Sequence, residues 1–299
     1  MSSILKRIKI NTVAAHNIRL VEKWYTQWLG YQVCEKGVIN LALANSWGTP
    51  FMQNKPYLLL QPESKEDVFI RVCKIDKVPN YKPMTSLGWN AFELIVEDVY
   101  KLHEQIKKSP FKIIGPPASL GGDLDFIHAM QVEGPVGEIL YLTCDRVKAS
   151  DTLLPRPNSF VGRSFIVILA GHGINITQDF YCSKFNLKKE EDMKTEISVI
   201  ANAQGLPSKH IYDMGFMSLS QEGNFIEYDG YSSSFGTRPS IEGQLQPGCS
   251  SVTFTVENLD NLDLDFIGEP VNDESIAYNG KKSRTAIGPA GELIELVEE

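Results

Sequence analysis

Gly134-Pro-Val-Gly-Glu-Ile-Leu-Tyr-Leu142 recurs, 154 residues further along, as Gly288-Pro-Ala-Gly-Glu-Leu-Ile-Glu-Leu296. Repetition at that distance marks two copies of one structural unit. The non-conservative swap inside the motif sets Tyr141 against Glu295. A second pair supports the first. Val13-Ala-Ala-His-Asn-Ile-Arg-Leu-Val-Glu-Lys-Trp-Tyr25 lies over Leu169-Ala-Gly-His-Gly-Ile-Asn-Ile-Thr-Gln-Asp-Phe-Tyr181 at an offset of 156. Each begins as a β-rich run and continues as an amphipathic helix. In the first copy Ile18, Val21, Trp24, Tyr25 and Trp28 recur at helical spacing, and Leu29-Gly30 ends the helix.

Halfway through each copy comes another strand-then-helix unit. One is Ala91 to Val99 followed by Tyr100 to Lys107. The other is Ser251 to Leu259 followed by a short Asp260 to Leu264 segment. Both strands alternate with period two, and both end in an acid or amide suited to cap a helix. Gly/Pro turns and short strands follow each. The pattern predicts an α+β chain of four modules, each strand–helix–strand–strand–strand. Modules one and two fill residues 1–145, and modules three and four fill 160–299. The stretch 146–159, with Pro155 and Pro157, reads as a linker. Two long irregular stretches, 62–90 and 188–212, read as lids, binding loops or surface insertions.

Bulk properties narrow the partners. The chain has 299 residues, 42% of them hydrophobic, enough for two ordinary cores. Its net charge is −8, and no Lys/Arg cluster reaches five residues, so nucleic acid and anionic membrane are poor partners. No apolar run approaches the roughly 20 residues of a membrane span. The N-terminus lacks a signal-peptide core, and the five scattered cysteines have no Cys-x-x-Cys spacing. Both fit reduced thiols and a cytoplasmic location. The expected partner is a small-molecule ligand and, at most, a second copy of the chain.

Four βαβββ modules, with Trp24-Tyr25 and Leu29-Gly30 after the first strand and a closing Gly-Pro-x-Gly-Glu-x-x-x-Leu, resemble the vicinal oxygen chelate superfamily. That group includes glyoxalase I, bleomycin-resistance proteins, fosfomycin-resistance proteins and type I extradiol dioxygenases. The resemblance implies modules paired into two domains, each a curled mixed sheet forming a U-shaped trough with flanking helices. It also implies metal ligands on the first strand of each module and near the end of the last. The register places Ile10, Ile166, Ala91 and Ser251 at the first-strand positions, and none of them ligates metal. The last-strand glutamate falls on Tyr141 and Glu295. The fourth-strand glutamate of glyoxalases falls near Leu59 and Glu227. Transition metals want His, carboxylate or thiolate in threes and fours. The expected metal set is therefore none, two carboxylates holding at most a weakly bound hard divalent ion.

Chemistry is expected from carboxylates instead. Alternation puts Leu293, Glu295 and Val297 on one strand face, with Glu295 aimed into a trough. Glu93 reads the same way, and Glu227 is the third candidate. A carboxyl in an apolar trough favours its neutral form and becomes a general acid or base. The alternative is a remnant carboxylate bonded to Ser251, Thr253 or Arg284. His16 and His172 share one repeat position at the strand–helix junction, as a proton carrier or as a strand-end residue. His128 alternates with Phe126 and Met130 and is a trough-lining candidate. Tyr141 and Trp89 are aromatic candidates for holding a ligand. Arg71, Arg284 and Arg238 are candidate partners for an anionic group on it. No Gly-x-Ser-x-Gly elbow, P-loop or dinucleotide fingerprint occurs.

Three functions remain open. One is a metal-independent enzyme that moves a proton on an aromatic or oxo-acid metabolite, as a lyase or isomerase would, through Glu295. Another is a bleomycin-resistance-like protein that binds and sequesters without reacting. The third is a metal-dependent extradiol dioxygenase or glyoxalase-like enzyme.

Overall fold

The computed structural model describes residues 3–147, 154–190, 192–260 and 262–299. The middle of the expected linker, 148–153, lies outside them. Module one is β1 (Ile8–Ala15), α1 (Ile18–Trp28), β2 (Gln32–Val38), α2 (Leu41–Ser46), β3 (Pro56–Gln61) and β4 (Phe69–Lys74). Module two is β5 (Gly88–Val96), α3 (Val99–Ile106), β6 (Lys112–Ser119), β7 (Ile127–Glu133) and β8 (Ile139–Asp145). Module three is β9 (Val161–Gly171), α4 (Ile174–Phe185), β10 (Lys188–Lys189), β11 (Met193–Glu196), α5 (Ser198–Gln204), β12 (Ile211–Ser218) and β13 (Phe225–Gly230). Module four is β14 (Gly248–Val256), β15 (Val271–Asn272), β16 (Lys282–Ile287) and β17 (Leu293–Glu298).

The caps form where the side chains demand them. Asn17 accepts from the Leu20 N–H at 3.2 Å to start α1, and Asp98 accepts from two N–H groups to start α3. Module four departs from expectation. Among the described residues, Asp260–Leu264 forms no helix, and Asn258 closes a turn by accepting from the Asp260 N–H at 2.6 Å. Its acids leave no apolar stripe wide enough to dock. The stretches expected to be irregular are largely ordered, holding β4, β11 and α5. Five of the six β4 residues are buried, so the strand lacks the alternation that identifies a half-exposed one.

The strands form two curled sheets. The first runs β15-β16-β17-β14-β1-β4-β3-β2. The second runs β10-β12-β13-β9-β5-β8-β7-β6, with β11 on β12. Within every module the first strand pairs in parallel with the last. Between modules the first strands pair antiparallel, β1 with β14 and β5 with β9. The first sheet therefore joins modules one and four, and the second joins two and three. This replaces the expected pairing within each sequence half, while keeping the buried first strands together at the sheet centres.

The repeated motif explains itself here. The Glu138 carboxylate accepts from the Val136 N–H at 3.0 Å and from the Tyr25 hydroxyl at 3.2 Å. Glu292 repeats this with the Ala290 N–H at 2.8 Å and the Tyr181 hydroxyl at 2.9 Å. Each bond ties a helix on one sheet to a turn of the other. A Cβ on Gly134 or Gly288 would strike these carboxylates at 2.2 and 1.9 Å, so only glycine fits. Burial raises both glutamates to about 7, against their backbone and tyrosine donors. Among the described residues, no helix is long and apolar enough to cross a membrane.

Candidate functional site

Each sheet presents two rows of side chains to its trough. In the first sheet the pairing aligns Thr285, Glu295, Thr253, Ile10 and Phe69. In the second it aligns Gln131, Tyr141, Glu93, Ile166 and Phe225. One step along, the first sheet shows Leu293, Ser251, Thr12 and Arg71. The second shows Ala91, Ile168 and Glu227. The offset that relates Thr12 to Ile168 also relates Arg71 to Glu227. The counterpart of Glu227 is thus Arg71 on β4 and not Leu59, which stands beside it on β3.

Glu295 faces its trough, as alternation predicts, and is fully buried. It has no freedom there. One oxygen accepts from Arg71 Nη2 at 2.9 Å and from the Thr253 hydroxyl. The other accepts from Trp47 Nε1 at 2.7 Å and from the Tyr278 hydroxyl at 2.6 Å. Arg71 also donates to Thr12 at 2.8 Å and to Tyr278, and its guanidinium lies 4.4 Å from the Trp47 ring centroid. Burial works against the Arg71 charge, and Glu295 more than restores it, so its pKa lies above the ordinary value. Trp47 follows α2, and Tyr278 lies in the connection between β15 and β16. With Leu43, Met52 and Leu245 they fill the trough as a second apolar core. Arg71 is therefore engaged by Glu295.

In the second trough α5 takes the place of α2, and among the described residues no tryptophan or tyrosine hydrogen-bonds the acids. Glu93 and Glu227 are 6% and 7% exposed, on strands flanking β9, and Asp229 lies beyond Glu227 on the same face. Burial raises Glu93 to about 7, with the Thr143 hydroxyl pulling the other way. Burial also raises Asp229 to about 7. Glu227 is pushed well above the carboxylate range by burial, then by Asp229 and Glu93. The Tyr141 phenol is raised by burial and by these same carboxyls. A cavity of about 580 Å³ lies beyond the acids, lined by Ile139 on β8, Lys112, Glu133 and Val199 on α5 and not by Glu93, Glu227, Asp229 or Tyr141.

The other expected site residues lie elsewhere or play other parts. Ser251 and Thr253 stand in the first trough, the latter bonded to Glu295. Arg284 points away from it, stacking 3.9 Å from the Phe266 ring centroid and donating to the Gly268 carbonyl. Trp89 packs between the sheets and donates to the Leu293 carbonyl at 2.8 Å. His128 faces α3 and shares a 2.8 Å hydrogen bond with Tyr100, because Ala129 and Gln131 take the trough side of β7. His172 and His16 are exposed at strand ends. Arg238 is consumed by the Pro247, Cys249 and Trp89 carbonyls. Asp229, Trp47 and Tyr278 were missed. Asp229 was legible as the next same-face acid after Glu227, whereas nothing local announces the two plugging aromatics.

Neither constellation fits the metal that the fold's metal-using members hold. In the first, a guanidinium occupies one of the four facing positions. In the second, the matching four are Glu93, Glu227, Tyr141 and Ile168. Among the described residues, no three or more His, Cys, Asp or Glu side chains are placed to hold a metal ion.

No protein-family model and no curated protein sequence matches the chain. Solved structures do. Glyoxalase I from Zea mays superposes with a TM-score of 0.63 at 16% identity, covering 98% of this chain and 92% of that one. A Bacillus subtilis protein, provisionally assigned as a dioxygenase, superposes with a TM-score of 0.63 at 11% identity, covering 100% of this chain and 86% of that one. At such identities the likeness speaks for the fold alone. The chain therefore has a two-half-barrel, four-module fold like that of glyoxalase I.

Proposed function

We propose that the protein is an enzyme that binds a small, largely apolar oxo compound in the second trough and moves a proton with Glu93 and Glu227, independently of a metal. One observation carries this reading: two buried carboxyls stand on the strands either side of β9, and among the described residues neither is paired with a cation. Burial favours both neutral forms and brings Glu93 into reach of neutral pH, while Asp229 and Glu93 add to the effect of burial on Glu227. Glu93, at about 7, is the candidate base, and Glu227, pushed well above the carboxylate range, the candidate acid. The Tyr141 hydroxyl is a donor for the oxygen on which charge develops. Glu295, the position first expected to react, is a poorer choice because four donors already hold it. Of the two expected substrate classes, the aromatic one fits better than the oxo acid. Arg71, the intended partner of an acid, is engaged by Glu295.

The test is proton exchange. Aromatic and aliphatic ketones and aldehydes are incubated with the protein in D₂O, and deuterium beside the carbonyl is followed by NMR. Wild type is expected to exchange at least one compound. Glu93→Gln and Glu227→Gln are each expected to slow that exchange by roughly 10²- to 10⁴-fold. Equal exchange in all three proteins would overturn the proposal.

A further inference from the structure

Glu227 stands where the first sheet has Arg71, and Glu93 stands where it has Thr253. The first trough is thereby balanced, one guanidinium against one carboxylate. The second holds Glu93, Glu227 and Asp229, and among the described residues no Lys or Arg forms an ion pair with them. Asp229 is fully buried, and neither of its oxygens has a hydrogen-bond partner. A group of another kind is orphaned beside them. Tyr141 is 8% exposed, its hydroxyl makes no hydrogen bond among the described residues, and its charged neighbours are these three carboxyls. Buried polar groups left open together call for a partner that the chain itself does not supply.

Resting on the proposed use of this trough, we infer that its substrate carries a basic nitrogen, an amidinium, guanidinium or ammonium on an apolar body, held by Glu227 and Asp229 as Glu295 holds Arg71. Alternation puts these two carboxyls on one strand face, roughly 7 Å apart. A planar amidinium or guanidinium can turn one N–H toward each of two such carboxyls. Ile166, Ile168 and Phe225 supply the apolar floor for the rest of the molecule. A bound cation would favour the ionised forms of Glu227 and Asp229, whereas an anion would oppose them and a neutral amide would leave them protonated.

Benzamidine is the probe, with benzamide and benzoate as its neutral and anionic isosteres. Thermal unfolding at pH 8 is followed with each. Benzamidine is expected to raise the midpoint in a dose-dependent way, and the two isosteres are not. Glu227→Gln and Asp229→Asn are each expected to unfold cooperatively and to lose the benzamidine shift. No shift with benzamidine, an equal shift with an isostere, or a shift that survives both substitutions would overturn the inference. Benzamidine has no exchangeable carbon beside a carbonyl. Failure here would leave the proton-exchange test standing, and failure of that test would leave this binding result intact.

Discussion

The two sheets offer their troughs the same rows of positions and fill them with opposite chemistry. In the first, Arg71 and Glu295 meet across two intervening strands, and Trp47, Tyr278 and Thr253 complete every remaining bond. In the second, Glu227 and Tyr141 occupy the corresponding places and, among the described residues, form no ion pair or side-chain hydrogen bond. The comparison teaches how a duplicated fold divides labour. A concave sheet face must be filled or used. Here one face was filled, with an internal ion pair and a plug from α2, and became core. The other holds three buried acids that, among the described residues, have no cation partner, and the proposed proton transfer rests on them.

The sharpest way to break the comparison is to remove the cation. Arg71→Leu leaves Glu295 buried without its charge partner and is expected to cost about 3–5 kcal/mol in urea unfolding. Replacing both members with leucine is expected to recover most of that loss, since a well-packed apolar pair avoids the desolvation penalty. A single variant as stable as wild type would mean that the pair is not what closes the first trough.

A smaller effect tests the clasps that hold the two sheets together. Tyr25→Phe and Tyr181→Phe each remove one hydrogen bond to a buried carboxyl, and each is expected to cost about 1 kcal/mol. Because the two clasps are related by the repeat and share no partner, the double variant is expected to lose the sum. A strongly non-additive result would show the clasps to be coupled through the interface between the sheets.

Much of this was legible in the chain. The Gly-Pro-x-Gly-Glu repeat announced the duplication because its glycines and glutamates obey local sterics and hydrogen bonding, which sequence records faithfully. Alternation placed Glu93 and Glu295 on trough faces for the same reason. What was not legible was long-range. The pairing of β1 with β14, and of β5 with β9, is chosen by registers between segments far apart in sequence, so module order misled about sheet membership. The role of Glu295 turned on Trp47 and Tyr278, whose aromatic character the repeat does not keep: α5 holds the place of α2 at the 156-residue offset, with Ala203 where Trp47 stands. The decisive exchange, Arg71 for Glu227, lay within reach at the 156-residue offset. It was obscured because β4, buried on both faces, reads like a loop of mixed composition.

The account rests on carboxyls in the second trough that the fold keeps neutral and unpaired, and the pH dependence of stability tests this most directly. Glu93 is raised by burial from 4.5 to about 7. Between those values the unfolded chain ionises at this position while the fold does not, so the group costs stability as pH rises. Above about 7 the cost is constant. Urea unfolding of wild type and Glu93→Gln across pH 4.5–8 is expected to show the variant gaining on wild type by about 3 kcal/mol, the equivalent of that shift, with the gain complete near neutrality. A difference between the two proteins that stays constant over the whole range would mean that Glu93 ionises as an ordinary solvated carboxylate, and the central claim would fail.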